Sequence, residues 1–124
     1  MTKKSGHRYH FSRQYRLVTA SDYQSVFNNP KRVSTSELLF LYCKNNKGFS
    51  RLGLAIAKKQ FPLAVDRNRI KRLVRESFRE LRSQLSSVDI VVMARKNLLN
   101  MDNVQTRTQL DKLWGQVIHK GKLL

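Results

Sequence analysis

GLAIAKKQFPLAVDRNRIKRLVRESFR, residues 53–79, changes its period midway. Up to Ala57 bulky and small residues alternate, which is the two-residue repeat of a strand. After Pro62 the apolar residues recur every three or four positions, which is the repeat of a helix. A strand that runs through a short link into a long helix is thus the centre of the fold, and the rest of the chain is read outward from it.

On a helical wheel at 100° per residue, Ile70, Leu73, Val74, Phe78, Leu81 and Leu85 share one arc of about 140°. A second arc beside it holds Lys71, Arg72, Arg75, Arg79 and Arg82, with Asn68 among them and Arg67 at the helix start. Glu76 and Glu80 fall on the third side, near Arg69. A solvated face laced by pairs such as Arg72–Glu76 would gain only about 0.2–0.5 kcal/mol per pair. Two glutamates do not neutralise seven cations in this helix, so the stripe needs an outside anion. Arginine suits phosphate because its planar fork reaches two oxygens at once. Asp66 is the expected N-cap, and the helix N-terminus adds free N–H groups and a positive dipole end.

Upstream, Leu52, Leu54 and Ile56 form the bulky face of the strand, and Gly53, Ala55 and Ala57 a nearly bare one. A helix lying close against that face explains it, and so does a trough open to a ligand. The lysines that end the strand, Lys58 and Lys59, and a first helix over TASDYQSVFNN, with Tyr23, Val26 and Phe27 on one side, keep the trough open as a reading. Thr19 or Ser21 is placed to cap that helix and Pro30 to end it. The segment from Val33 to Lys44, centred on LLFLYCK, reads as extended. With NNKG as the turn it is expected to pair with SRLGLAIAKK as a hairpin. Downstream, VDIVVMAR is a strand apolar enough to be central. Asp102 or Asn103 opens a last helix with Leu110, Leu113, Trp114, Val117 and Ile118 as its apolar stripe.

These elements make one α+β domain over residues 17–120, preceded by a flexible basic arm at 1–16 with five Lys or Arg, two His and no acid. The 124 residues suit one domain. The 25 Lys and Arg against 8 Asp and Glu give a formal charge of +17, which points to a polyanionic partner. No apolar run approaches the roughly 20 residues of a membrane span, and the N-terminus lacks the apolar centre of a secretory signal. Cys43 is the only cysteine, so a reducing cytoplasm is the expected location. His7, His10 and His119 have no partner in sequence, and no cluster of carboxylates, histidines or cysteines forms a metal or nuclease motif.

The run 53–79 resembles the signature of the bacterial ribonuclease P protein subunit: a small-residue strand ending in two lysines, a link, and the box R-N-R-x-K-R-x-x-R-E. DYQSVF resembles that family's first helix, DIVVMARK its last strand, and the Leu113–Trp114 pair its last helix. The resemblance implies an α/β sandwich with a four-stranded mixed sheet and three flanking helices in the order α-β-β-β-α-β-α, with a left-handed βαβ crossover, against the usual rule. It implies that the protein binds a catalytic RNA and the 5′ leader of precursor tRNA, and that the RNA removes the leader by Mg²⁺-dependent hydrolysis. No catalytic residue and no direct metal ligand is then expected in the protein. Arg67, Asn68, Arg69, Lys71, Arg72, Arg75 and Arg79 carry the RNA-binding role over. Tyr23, Phe27, Phe40, Tyr42, Gly53, Ala55, Ala57, Lys58 and Lys59 carry over the leader cleft, where stacking and backbone cations hold single-stranded RNA. A ribosomal or other structured-RNA-binding protein shares the charge and size but has no need of the cleft. A DNA reader would need base-reading side chains on the helix, and a membrane binder a spare apolar face.

Overall fold

The computed structural model describes residues 13–122. Its elements are α1 (Ala20–Asn28), β1 (Lys31–Ser34), β2 (Leu38–Lys44), β3 (Arg51–Ala55), α2 (Ala64–Leu81), β4 (Val88–Ala94) and α3 (Asn103–Lys122). Short 3₁₀ turns cover Arg13–Tyr15, Arg82–Gln84 and Lys96–Asn100. The order matches the expected α-β-β-β-α-β-α, and the four strands form one mixed sheet.

The strand order is β1-β2-β4-β3, so the expected hairpin between LLFLYCK and the Gly53 strand does not form. β4 lies between them, antiparallel to β2 with Phe40 opposite Val92, and parallel to β3 with Gly53 opposite Val91. Val88–Val92 of β4 are buried without interruption, and a strand apolar on both faces belongs where both faces are covered. The hairpin that does form joins β1 to β2, with Val33 opposite Phe40. The Asn45–Gly48 segment still turns, helped by the Asn45 side chain accepting from the N–H of Lys47 at 2.9 Å and by Gly48 at a φ of +85°.

One sheet face meets α2 and α3. Phe40, Phe78 and Trp114 are buried there, with the Trp114 ring 4.4 Å from Phe40 and 5.6 Å from Phe78. The indole N–H donates to Ser77 Oγ at 2.8 Å, and that hydroxyl donates to the Val74 carbonyl at 2.9 Å, so the indole N–H and the Ser77 hydroxyl are both paired. The other face meets α1, where Val26 packs with Leu17, Leu41 and Val91.

The helix starts divide by cap chemistry. Thr19 caps α1 in a reciprocal box: its Oγ1 accepts from the N–H of Asp22 at 3.1 Å, and Asp22 Oδ2 accepts from the N–H of Thr19 at 3.2 Å. Asp102 and Gln105 form the equivalent pair at α3. Asp66 does not cap α2: that helix begins two residues earlier, Leu63 is its N-cap and offers no side-chain acceptor, and Asp66 lies in the first turn. The short link after Pro62 leaves the backbone helical before the acid is reached.

Asp89 is a buried acid on central β4. It accepts two bonds from Arg51, at 2.9 and 2.7 Å, and one from Asn45 at 2.7 Å. Arg51 also lies 3.5 Å from Asp22, so one guanidinium ties the sheet to the first turn of α1.

Candidate nucleic-acid interface

The cations of α2 divide by partner. Arg67 donates to the carbonyls of Phe61 and Pro62 at 2.8 and 3.0 Å, which secures the link into the helix. Arg69 donates to Asn103 Oδ1 at 2.8 Å, tying α2 to the start of α3. Lys71, Arg72, Arg75 and Arg79 have no hydrogen-bond or ion-pair partner among the described residues, and Asn68 is exposed beside them. Glu80 pairs with Arg107 of α3, not with the stripe, and no Arg72–Glu76 pair forms among the described residues. The unneutralised ridge read from the wheel therefore stands as Lys71, Arg72, Arg75 and Arg79, with Arg67 and Arg69 partly spent on the fold.

Residues 13–16, expected in the arm, belong to the domain; the rest of the arm lies outside the described residues. Leu17 donates its N–H to the Leu52 carbonyl at 2.9 Å, and Arg16 bridges Leu52 in parallel, so the segment adds to the free edge of β3. Tyr15 packs edge-on to Phe49 at 5.4 Å and lies under the Arg82 guanidinium at 3.9 Å. This brings Arg13 and Arg16 to the ridge. A depression of about 290 Å³ is lined by Arg13, Arg16, Lys71 and Arg75, by Tyr23, and by apolar atoms including Leu52 and Leu54. No carboxylate lines it. Burial and the positive charge of Arg16 hold the Arg75 guanidinium below its usual range, with Tyr23 acting the other way. Arginine keeps its proton regardless, so these cations repel until an anion arrives.

On the α1 face, the bare strand is partly covered by its own chain. A methyl group at Gly53 would stand 2.8 Å from Cε2 of Tyr23 and 2.9 Å from Cδ1 of Leu17. Tyr23 Oη also accepts from the N–H of Leu54 at 3.2 Å. Gly53 is therefore the seat of Tyr23 and not open floor. Beyond it the face opens: Ala55 is half-buried, and Ala57, Lys58 and Lys59 are exposed. Phe27 is 39% exposed, its ring 6.5 Å from Tyr23.

Phe40 and Tyr42 do not line this face. Both are buried in the core on the α2–α3 side, because strand alternation sends Leu39, Leu41 and Cys43 the other way. Leu39 and Met93, which pack against the α1 cluster and are half-buried, take the places expected for the two aromatics. Arg13 and Arg16 were missed because their segment has no periodicity to read. Leu39 followed from alternation once either neighbour was assigned to the core.

Among the described residues, no group of three or more His, Cys, Asp or Glu could hold a metal ion. No helix among them is long and apolar enough to cross a membrane.

The model of the Ribonuclease P family matches residues 11–118. A ribonuclease P protein component from Histophilus somni is 52% identical over 104 residues, covering 84% of this chain and 87% of that protein. Among solved structures, the RNase P protein of Staphylococcus aureus is similar with a TM-score of 0.77 at 30% identity, covering 84% of this chain and 97% of the other. That of Thermotoga maritima gives 0.73 at 32%, covering 82% and 96%.

Proposed function

The chain belongs to the ribonuclease P protein family and is a protein component of that tRNA-processing endoribonuclease, and from this premise we propose how its two faces divide the work. The ridge of Asn68, Lys71, Arg72, Arg75 and Arg79 holds the catalytic RNA by its phosphates. The α1 face holds the 5′ leader of precursor tRNA, with Phe27 and the exposed side of Tyr23 stacking on bases and Lys58 and Lys59 following the backbone. Half-buried Ala55 and exposed Ala57 leave room for a strand to come close.

The observation that carries this reading is the depression shared by Tyr23, Lys71, Arg75, Arg13 and Arg16. Four cations with no acid among them face one tyrosine of the cleft, so a phosphate seated there lies where ridge and cleft meet. Backbone contact of this kind positions RNA and does not read its sequence.

Cleavage belongs to the RNA. On this reading the Mg²⁺ of the holoenzyme is held mainly by RNA oxygens, and the protein acts by placing phosphates. The polypeptide freed of RNA is expected to cleave nothing. The compartment is the cytoplasm, where precursor tRNA is made in bacteria.

The test is binding by the reconstituted holoenzyme. Precursor tRNA with a leader should bind more tightly than mature tRNA, and exchanging Phe27 for Ala should shrink that difference. Equal affinity for both tRNAs would leave the chain a structural RNA-binding subunit with no leader site.

A further inference from the structure

The 3₁₀ turn Arg13–Tyr15 reaches the ridge with little backbone to hold it. Arg16 and Leu17 are tied to Leu52 on the edge of β3. Arg13 lies before that contact, and its carbonyl accepts from the Arg16 N–H at 3.1 Å. In a 3₁₀ turn residues three apart point the same way, so Arg13 and Arg16 share a side. Both line the depression with Lys71 and Arg75, and no carboxylate joins them there. Repulsion among four cations and the conformational entropy of a short turn both act to draw Arg13 out of the depression.

Tyr15 works against both. It leaves the turn about 120° away from the two arginines, and its half-buried ring packs against the main core. The Phe49 ring meets it edge-on at 5.4 Å, and the Arg82 guanidinium stands 3.9 Å from its centroid. Such a cation–π contact is modest on an open surface and stronger where water is partly excluded. Phe49 comes from the segment between β2 and β3, and Arg82 from the end of α2. The ring is thus fixed to two parts of the fold that do not depend on the turn.

We propose that Tyr15 is a positioning residue for RNA: its ring, held by Phe49 and Arg82, keeps Arg13 in the depression and so places that guanidinium on a phosphate. The proposal rests on the reading of the depression as a phosphate seat. It adds that the seat is assembled from behind, by a side chain that does not itself touch the RNA. Anchor and ligand then support one another, since ordering the turn favours the phosphate and the phosphate favours the ordered turn.

The experiment is the affinity of the full chain for the catalytic RNA across a salt series, with Tyr15→Ala, Arg13→Ala, the two together, and Tyr15→Phe. Arg13→Ala should lower the slope of log K against log salt by about 0.7–0.9, the share of one phosphate contact. Tyr15→Ala removes no charge and should lower it by most of that amount. The double variant should fall no further than Arg13→Ala, because Tyr15 acts through Arg13. Tyr15→Phe keeps the ring and should keep the natural slope. A merely structural loss would reduce the folded fraction, weaken binding by one factor at every salt concentration and leave the slope alone. An unchanged slope in Tyr15→Ala beside a lowered one in Arg13→Ala would overturn the proposal and leave the phosphate seat standing. An unchanged slope in Arg13→Ala would overturn the proposal together with the seat at Arg13. Losses that add in the double variant, or a Tyr15→Phe slope as low as that of Tyr15→Ala, would make Tyr15 itself an RNA contact and overturn its positioning role. Phe49→Ala withdraws one support of the ring, is also charge-neutral, and is read in the same way if Tyr15→Ala does not fold.

Discussion

The hydroxyl of Tyr23 accepts a hydrogen bond from the backbone N–H of Leu54 at 3.2 Å. β3 is an edge strand, so this N–H faces away from the ladder and the tyrosine satisfies it. One side chain is thus both a wall of the proposed leader cleft and a strut between α1 and β3. Tyr23→Phe should keep the stacking ring and lose the strut, costing about 0.5–1.5 kcal/mol of stability. Because the site is half-exposed and water can replace the hydroxyl, the lower end is expected. Thermal unfolding reads the loss, while leader affinity should fall far less than in Tyr23→Ala. Equal loss of affinity in both variants would mean that the hydroxyl, and not the ring, meets the RNA.

Gly53→Ala tests the same contact from beneath. The added methyl meets the Tyr23 ring and Leu17 at distances that real side chains do not tolerate, so the Tyr23 and Leu17 side chains, or the segments that carry them, must shift. Overpacking of this kind costs about 1–3 kcal/mol. The variant is expected to have a lowered Tm together with weakened leader binding. An unchanged Tm would show that Tyr23 swings aside freely and is no fixed part of the cleft.

These two contacts also mark what the sequence could and could not tell. The two-residue repeat in Leu52–Ala57 showed that one face is bare, and the wheel of α2 showed a cationic ridge, because both are local periodicities. What covers a bare face is a long-range fact. The same limit explains the β2–β3 hairpin that does not exist: Asn45–Gly48 is turn-like whether or not its flanking strands pair, and only the doubly apolar β4 hinted that it would take the place between them. LLFLYCK is apolar at nearly every position, so no alternation showed which parity faces the core. Phe40 and Tyr42 were placed on the wrong side for that reason, and Leu39 was overlooked.

Phe40 and Phe27 should consequently separate stability from binding. Phe40 is fully buried against Trp114, so Phe40→Ala should cost about 3–5 kcal/mol, as large core truncations do. Phe27 is exposed, and Phe27→Ala should leave Tm nearly unchanged while weakening leader-bearing tRNA by the equivalent of about 1–3 kcal/mol, the range for one stacked base. Denaturant melts paired with binding isotherms check both. A stable Phe40→Ala protein with impaired leader binding would return Phe40 to the cleft.

Asp22 gives the fold a defined response to acid. The N–H groups of Val18 and Thr19 bond to its carboxylate and hold its pKa below the usual carboxylate value, with Arg51 adding to the effect. A folded-state pKa lower than the unfolded one means that the unfolded chain binds the proton more readily. The contribution of Asp22 is therefore fully present above the unfolded value of about 3.9 and is lost as pH falls through the folded value beneath it. The Tm difference between the natural chain and Asp22→Ala should be constant from pH 7 to about 5 and shrink below about 4. A difference that persists unchanged at pH 3 would mean that the contribution of Asp22 does not depend on the ionisation of its carboxyl.

Lys71 and Arg75 put the ridge itself at stake. Both line the depression with Arg13 and Arg16, and neither has a hydrogen-bond or ion-pair partner among the described residues. Removing them should therefore cost the fold little, and relief of the Arg16–Arg75 repulsion works in its favour. In RNA binding the opposite holds, since each cation that meets a phosphate releases counterions. The slope of log K against log salt should lose about 0.7–0.9 per contact, so Lys71→Ala with Arg75→Ala together should flatten it by about 1.4–1.8. The measurement is affinity for the catalytic RNA across a salt series, with Tm as the control on folding. Lys112→Ala, at an exposed position of α3 outside the depression, supplies the comparison for loss of charge in general. If the double variant and Lys112→Ala change the slope by the same amount per charge removed, the RNA responds only to total charge and the ridge has no place of its own.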